Sequence, residues 1–104
     1  MNSIYLATKR YWDKTGGNTY FASRVYIDGK QVARLPFQYG YGSADEAAAI
    51  SALVEFGFIP ESESTRQSRP LWYVARENGA DYYQTPIDGY YKKRDVKAWA
   101  APDA

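Results

Sequence analysis

The dipeptide Asp28-Gly29, set between two runs rich in β-branched and aromatic residues, is the tightest constraint on what this chain can fold into. Both central residues of a type I′ turn need positive φ, and Asp-Gly meets that need. Residues 19–27 and 30–37 are therefore predicted to return on each other as a hairpin. An earlier run, Ser3 to Trp12, stops at Asp13-Lys14-Thr15-Gly16-Gly17-Asn18, where two glycines and an asparagine punctuate the chain. Three consecutive antiparallel strands follow from these two turns. Pro36 has no amide hydrogen for a ladder, so it marks a sheet edge or the end of pairing.

After the glycine-aromatic stretch Gln38-Tyr39-Gly40-Tyr41-Gly42 the period changes. Ala47, Ile50, Leu53 and Val54 recur at helical spacing, and Gly57 is a natural stop, which predicts a helix over 44–56. Ser43 and Glu46 have the spacing of a capping box, and Asp45 and Glu46 suit the positive end of the helix dipole. On that reading Ser43→Ala would cost about 1 kcal/mol. Residues 61–67 are polar and without period, which predicts a loop. A shorter helix is expected over 69–78, with Ser68 as its cap, Pro70 early and Asn78-Gly79 as its stop. Residues 81–85 read as a strand, 86–89 as a turn, 90–93 as another short strand, and 100–104 as a frayed tail. The sum is one α+β domain over residues 1–99. Its antiparallel three-stranded sheet carries the main helix on one face, with a short helix-and-strand unit at the C-terminal end.

The 104 residues include no cysteine and no histidine. That removes disulfides, thiolate nucleophiles, imidazole bases and the usual zinc and haem ligands. The chain is accordingly expected to be non-enzymatic, with no metal and no cofactor. No run approaches the roughly 20 apolar residues needed to cross a bilayer. Lys9 and Arg10 follow the short apolar start, the reverse of a signal peptide. A cytoplasmic protein with no membrane partner is expected. The unusual excess is aromatic, 17% of the chain with 11 Tyr and 3 Trp, and it points to recognition.

Charge is divided along the chain. Residues 1–34 carry +4, residues 35–65 carry −5 and residues 66–104 carry +2, although the whole is only +1. Strand alternation sorts the first part further. Ile4 and Leu6, Phe21 to Ile27 in steps of two, and Ala33, Leu35 and Phe37 supply one apolar face for the helix. The other face then carries Tyr5, Lys9, Tyr11, Tyr20, Arg24, Tyr26 and Arg34, read as open to solvent and as the candidate binding surface. Rings interleaved with cations suit base stacking with phosphate contact, and equally suit protein hot spots. Cross-strand tyrosine packing alone would also explain the rings. Secondary binding candidates are Tyr39 and Tyr41 in the glycine-aromatic stretch and the basic cluster Lys92, Lys93, Arg94 and Lys97. Gly40 and Gly42 do not make a phosphate loop, because no Gly-Lys-Ser/Thr follows. Asp45, Glu46 and Glu55 show no spacing that selects a catalytic pair.

Tyr20, Ala22, Val25, Gly29, Lys30, Leu35 and Phe37, followed by Glu46, Ala47 and Ala48, resemble the sheet-plus-helix pattern of two families over residues 19–57. These are the plant ethylene-response DNA-binding domains and the arm-binding domains of phage tyrosine recombinases. The resemblance implies DNA contact from the sheet through Arg24, Tyr26 and Arg34. The small, cysteine-free, aromatic-rich chain is also similar in type to phage and prophage proteins, including anti-defence inhibitors. Two functions are therefore expected as alternatives. One is a stoichiometric, anti-CRISPR-like binder of a host protein or nucleoprotein complex; the other is a direct DNA- or RNA-binding module.

Overall fold

The turn chemistry places the first three strands as expected. In the computed structural model, which describes residues 1–85 and 89–100, β1 (Ser3–Asp13), β2 (Asn18–Ile27) and β3 (Lys30–Tyr39) form an antiparallel meander. Asp28 and Gly29 take φ of 51° and 82°, as a type I′ turn demands. The Asp28 carboxylate also accepts the amide hydrogens of Asn2 (2.7 Å) and Ser3 (2.8 Å), tying the hairpin tip to the start of β1. Those two amides hold its carboxyl below its ordinary value of 3.8.

The α+β class holds, but the sheet has four strands. β4 (Asp81–Gln84) lies parallel to β1, giving the order β3-β2-β1-β4. A parallel neighbour needs a long crossover. Three helices lie between β1 and β4 in the chain: α1 (Ala44–Glu55), α2 (Glu63–Arg66) and α3 (Leu71–Glu77). The core joins Ile4, Leu6, Val25 and Leu35 of the sheet to Ile50 and Leu53 of α1 and to Leu71 and Val74 of α3.

The main helix ends as predicted. Gly57 has φ 79°, its amide bonds the Val54 carbonyl, and the Phe58 amide bonds the Leu53 carbonyl, a complete Schellman closure. Its start is different. The Ser43 side chain makes no capping hydrogen bond. Glu46 is drawn away, accepting from the Leu71 amide (3.2 Å) and the Tyr82 hydroxyl (3.0 Å). Burial, and next the Glu46 charge, raise the Tyr82 pKa and keep that hydroxyl a donor. The capping box belongs instead to α2, inside the segment predicted as a loop. There Ser62 Oγ accepts from the Thr65 amide and Thr65 Oγ1 from the Ser62 amide. Ser43→Ala should accordingly change stability by less than about 0.5 kcal/mol in denaturant melts. Ser62→Ala should cost about 1 kcal/mol, and the reverse order would contradict this assignment of caps.

Three further expectations are corrected. The second helix begins at Leu71, because Ser68 takes a positive φ of 50° and Pro70, not Ser68, is the N-cap. Residues 90–93 are not a strand; the chain enters α4 (Lys93–Ala100) instead. Phe37 leaves the core face. Ser23 pairs with Leu35 but Phe21 pairs with Gln38, so β3 fits one extra residue at Pro36-Phe37 and the alternation inverts there. The predicted turn at 86–89 lies mostly outside the described residues, as does the tail predicted over 100–104 except for Ala100, which closes α4.

Candidate binding surface

The sheet face opposite α1 has a regular relief. Across β1 and β2, Tyr5 pairs with Tyr26, Ala7 with Arg24, Lys9 with Ala22 and Tyr11 with Tyr20. Large rings thus flank a central trough floored by Ala7 and Ala22, both buried. The C-terminal helix α4 lies across β1, β2 and β3 on this face. Val96 is fully buried and Trp99, one turn further on, is half-buried. The Trp99 indole donates to the Ala7 carbonyl (3.3 Å), and the Tyr91 amide donates to the Arg10 carbonyl.

This corrects the reading of an open face. Arg24 lies over the Trp99 ring at 3.9 Å and donates Nε to the Trp99 carbonyl at 3.3 Å. Lys9 lies 4.5 Å from the centre of the same ring and 5.0 Å from that of Tyr91. Lys9, Arg24 and Arg34 are half-buried, with Arg34 paired in register beside Arg24. A short alternating run such as 90–93 fits a strand locally. The docking trough, made of residues more than seventy positions away, turns the following segment into a helix.

Two aromatic groups remain accessible on either side of the trough. At one end Tyr5 and Tyr26 face each other at 5.9 Å. At the other, Tyr20 stands between Tyr11 (6.4 Å) and Phe37 (5.2 Å, stacked) and touches Tyr39 edge-on at 5.9 Å, with Tyr41 continuing the ladder. Phe37 joins these rings only through the β3 bulge, so alternation could not have found it. Lys92, Lys93, Arg94 and Lys97 are all exposed on or just before α4, and Lys97 reaches over the Phe37 ring at 5.5 Å. The primary and secondary candidates thus share one face. Lys9, Lys92, Lys93, Arg94 and Lys97 meet no carboxylate at ion-pair distance among the described residues. Asp95 is the single acidic residue of α4.

Trp99, Tyr91 and Val96 were missed as part of the surface. The signal that could have found them is the three-residue spacing of Val96 and Trp99 among polar neighbours, which is helical. On the opposite face the polar groups are spent on structure. Asp45 Oδ2 accepts from Arg10 Nη2 (3.0 Å) and from the Thr8 hydroxyl (2.8 Å), and Thr8 meets Ser23 at 2.7 Å. No buried side-chain nitrogen or oxygen among the described residues lacks a partner. Among those residues, no three acidic side chains converge as a metal would require, and no helix is long and apolar enough to cross a membrane. In comparison with known proteins, no family model, curated protein or solved structure matches the chain.

Proposed function

We propose that the protein is a non-enzymatic binding module whose partner is nucleic acid, either free or exposed in a nucleoprotein complex. Its working surface would be the α4 side of the sheet. The single observation that carries this reading is Lys97 over Phe37 in the ring ladder from Tyr11 to Tyr41, at the end of an exposed cluster with Lys92, Lys93 and Arg94 that meets no carboxylate at ion-pair distance among the described residues. Cations at that position neutralise phosphates, and tyrosine faces stack on bases without demanding a sequence. The modest total charge is no obstacle, because the acidic groups are concentrated in residues 35–65, which hold five and no basic residue. A stoichiometric inhibitor of the anti-CRISPR type would act through the same surface, by occupancy alone.

The test is anisotropy of labelled single-stranded and duplex DNA at several salt concentrations. With wild-type protein, log affinity should fall linearly with log salt. In a Lys93→Ala, Arg94→Ala, Lys97→Ala variant the slope for a single strand should shrink by about 2 units, roughly 0.7 for each phosphate no longer neutralised. An unchanged slope, or no binding at low salt, would sink the proposal. A purely protein partner is favoured by a different patch, Trp72, Tyr73 and Tyr83, which are exposed on α3 and β4. Under that reading Trp72→Ala, not the α4 variant, would release a partner captured on the intact protein.

A further inference from the structure

The trough does not end at α4. Between the Tyr5–Tyr26 pair and the segment running from Tyr91 to Trp99 lies a cleft of about 540 Å³, with Thr85 and Lys9 on its wall. Its size is that of a small-molecule site, which commonly spans about 300–1,000 Å³. We propose that this cleft binds one nucleotide, its base against the rings and its phosphate on Lys9.

Three features select that ligand class. Four rings line the cleft, Tyr5 of β1 and Tyr26 of β2 together with Tyr91 and Trp99 of the C-terminal segment, so a planar group can pack among them. Lys9 is half-buried, its ammonium held by the Tyr91 and Trp99 rings and by no carboxylate among the described residues. An aromatic cleft without that charge would suit a quaternary ammonium or an arginine. With Lys9 and Arg24 already on the rings, a further cation is repelled and an anion is drawn in. The rings then have no purpose for a simple aliphatic anion, whereas a base with an attached phosphate uses both elements. Phenolic hydroxyls of Tyr5, Tyr26 and Tyr91 provide donors and acceptors for base edges and sugar.

The site deepens the nucleic-acid reading, but it uses different residues from the outer cations of α4, so the two can fail separately. A nucleotide could come from the free pool or from the end of a strand, and the experiment separates them. Adenosine, adenosine monophosphate and a short 5′-phosphorylated oligoadenylate are titrated into the full protein while the Trp99 indole N–H resonance is followed. The monophosphate, or the oligoadenylate if the source is a strand end, should shift that resonance. The phosphorylated ligand should bind about 10-fold more tightly than its unphosphorylated counterpart, as a charge-assisted hydrogen bond would give. In Lys9→Met, which keeps the apolar stem, that phosphate advantage should vanish while adenosine binds as before. The Lys93→Ala, Arg94→Ala, Lys97→Ala variant should retain it. No shift with any ligand, equal affinity with and without phosphate on the wild-type protein, or an undiminished advantage in Lys9→Met would overturn the proposal.

Discussion

Replacing Asp45 with alanine is expected to lower the unfolding free energy by about 3–5 kcal/mol, a large fraction of what a domain of this size possesses. Asp45 is 4% exposed and sits at the start of α1 with its carboxylate turned inward. One oxygen holds both the Arg10 guanidinium and the Thr8 hydroxyl, while the other accepts the Glu46 amide at 2.9 Å. Its removal strands a guanidinium whose side chain is only 11% exposed. It also breaks the chain of hydroxyls from Thr8 to Ser23 that pins α1 to the two central strands. The cost comes from the charge left behind, so Arg10→Met combined with Asp45→Leu should recover most of the loss. Chemical denaturation of the two variants decides the point. A loss below about 1 kcal/mol in the single variant, or no recovery in the double, would show that the pair is not coupled as its geometry indicates.

Trp99→Ala should have the next largest effect, a loss of about 2–3 kcal/mol accompanied by undocking of α4. Three interactions disappear together: the Arg24 guanidinium over the ring at 3.9 Å, the Lys9 ammonium at 4.5 Å, and the indole donor to the Ala7 carbonyl. Among the described residues, Val96 would then be the one buried side chain holding an eight-residue helix, too short to persist on its own propensity. Amide exchange over residues 93–99 should accelerate to the rate of a frayed end, while the amides of β2 stay protected. An unchanged thermal midpoint together with retained protection of α4 would refute the docking role. The same variant ties stability to function. It opens the trough and removes a wall of the nucleotide cleft, so nucleotide binding should be lost even under conditions where the sheet remains folded.

Local chemistry was readable where a few adjacent residues decide the outcome. Asp28-Gly29 and the glycines before Asn18 set the meander, because a turn that needs positive φ is specified by the residues within it. Gly57 closes α1 for the same reason. Alternation along β1 and β2 separated the core residues Ile4, Leu6 and Val25 from the Tyr5, Arg24 and Tyr26 side without knowledge of any partner strand. Tyr5, Lys9, Tyr11, Tyr20, Arg24, Tyr26 and Arg34 were legible as one face for that reason, whereas the pattern did not join Tyr39, Tyr41 or the lysines of 92–97 to it.

What tertiary structure alone decided lies in interactions between distant segments. Glu46 could cap Ser43 by spacing, but the Leu71 amide and Tyr82 hydroxyl, brought near by the crossover, hold its carboxylate. Asp45 looked like a dipole-compensating surface residue until Arg10 and Thr8 met it from β1. A bulge at Pro36-Phe37 moved one ring to the other side of the sheet, which no period-two pattern can anticipate. Above all, the face that alternation left bare is covered at its middle by α4. A helix that short gains its stability from the alanine trough beneath it and from the rings and cations it meets there, none of which is local to its sequence.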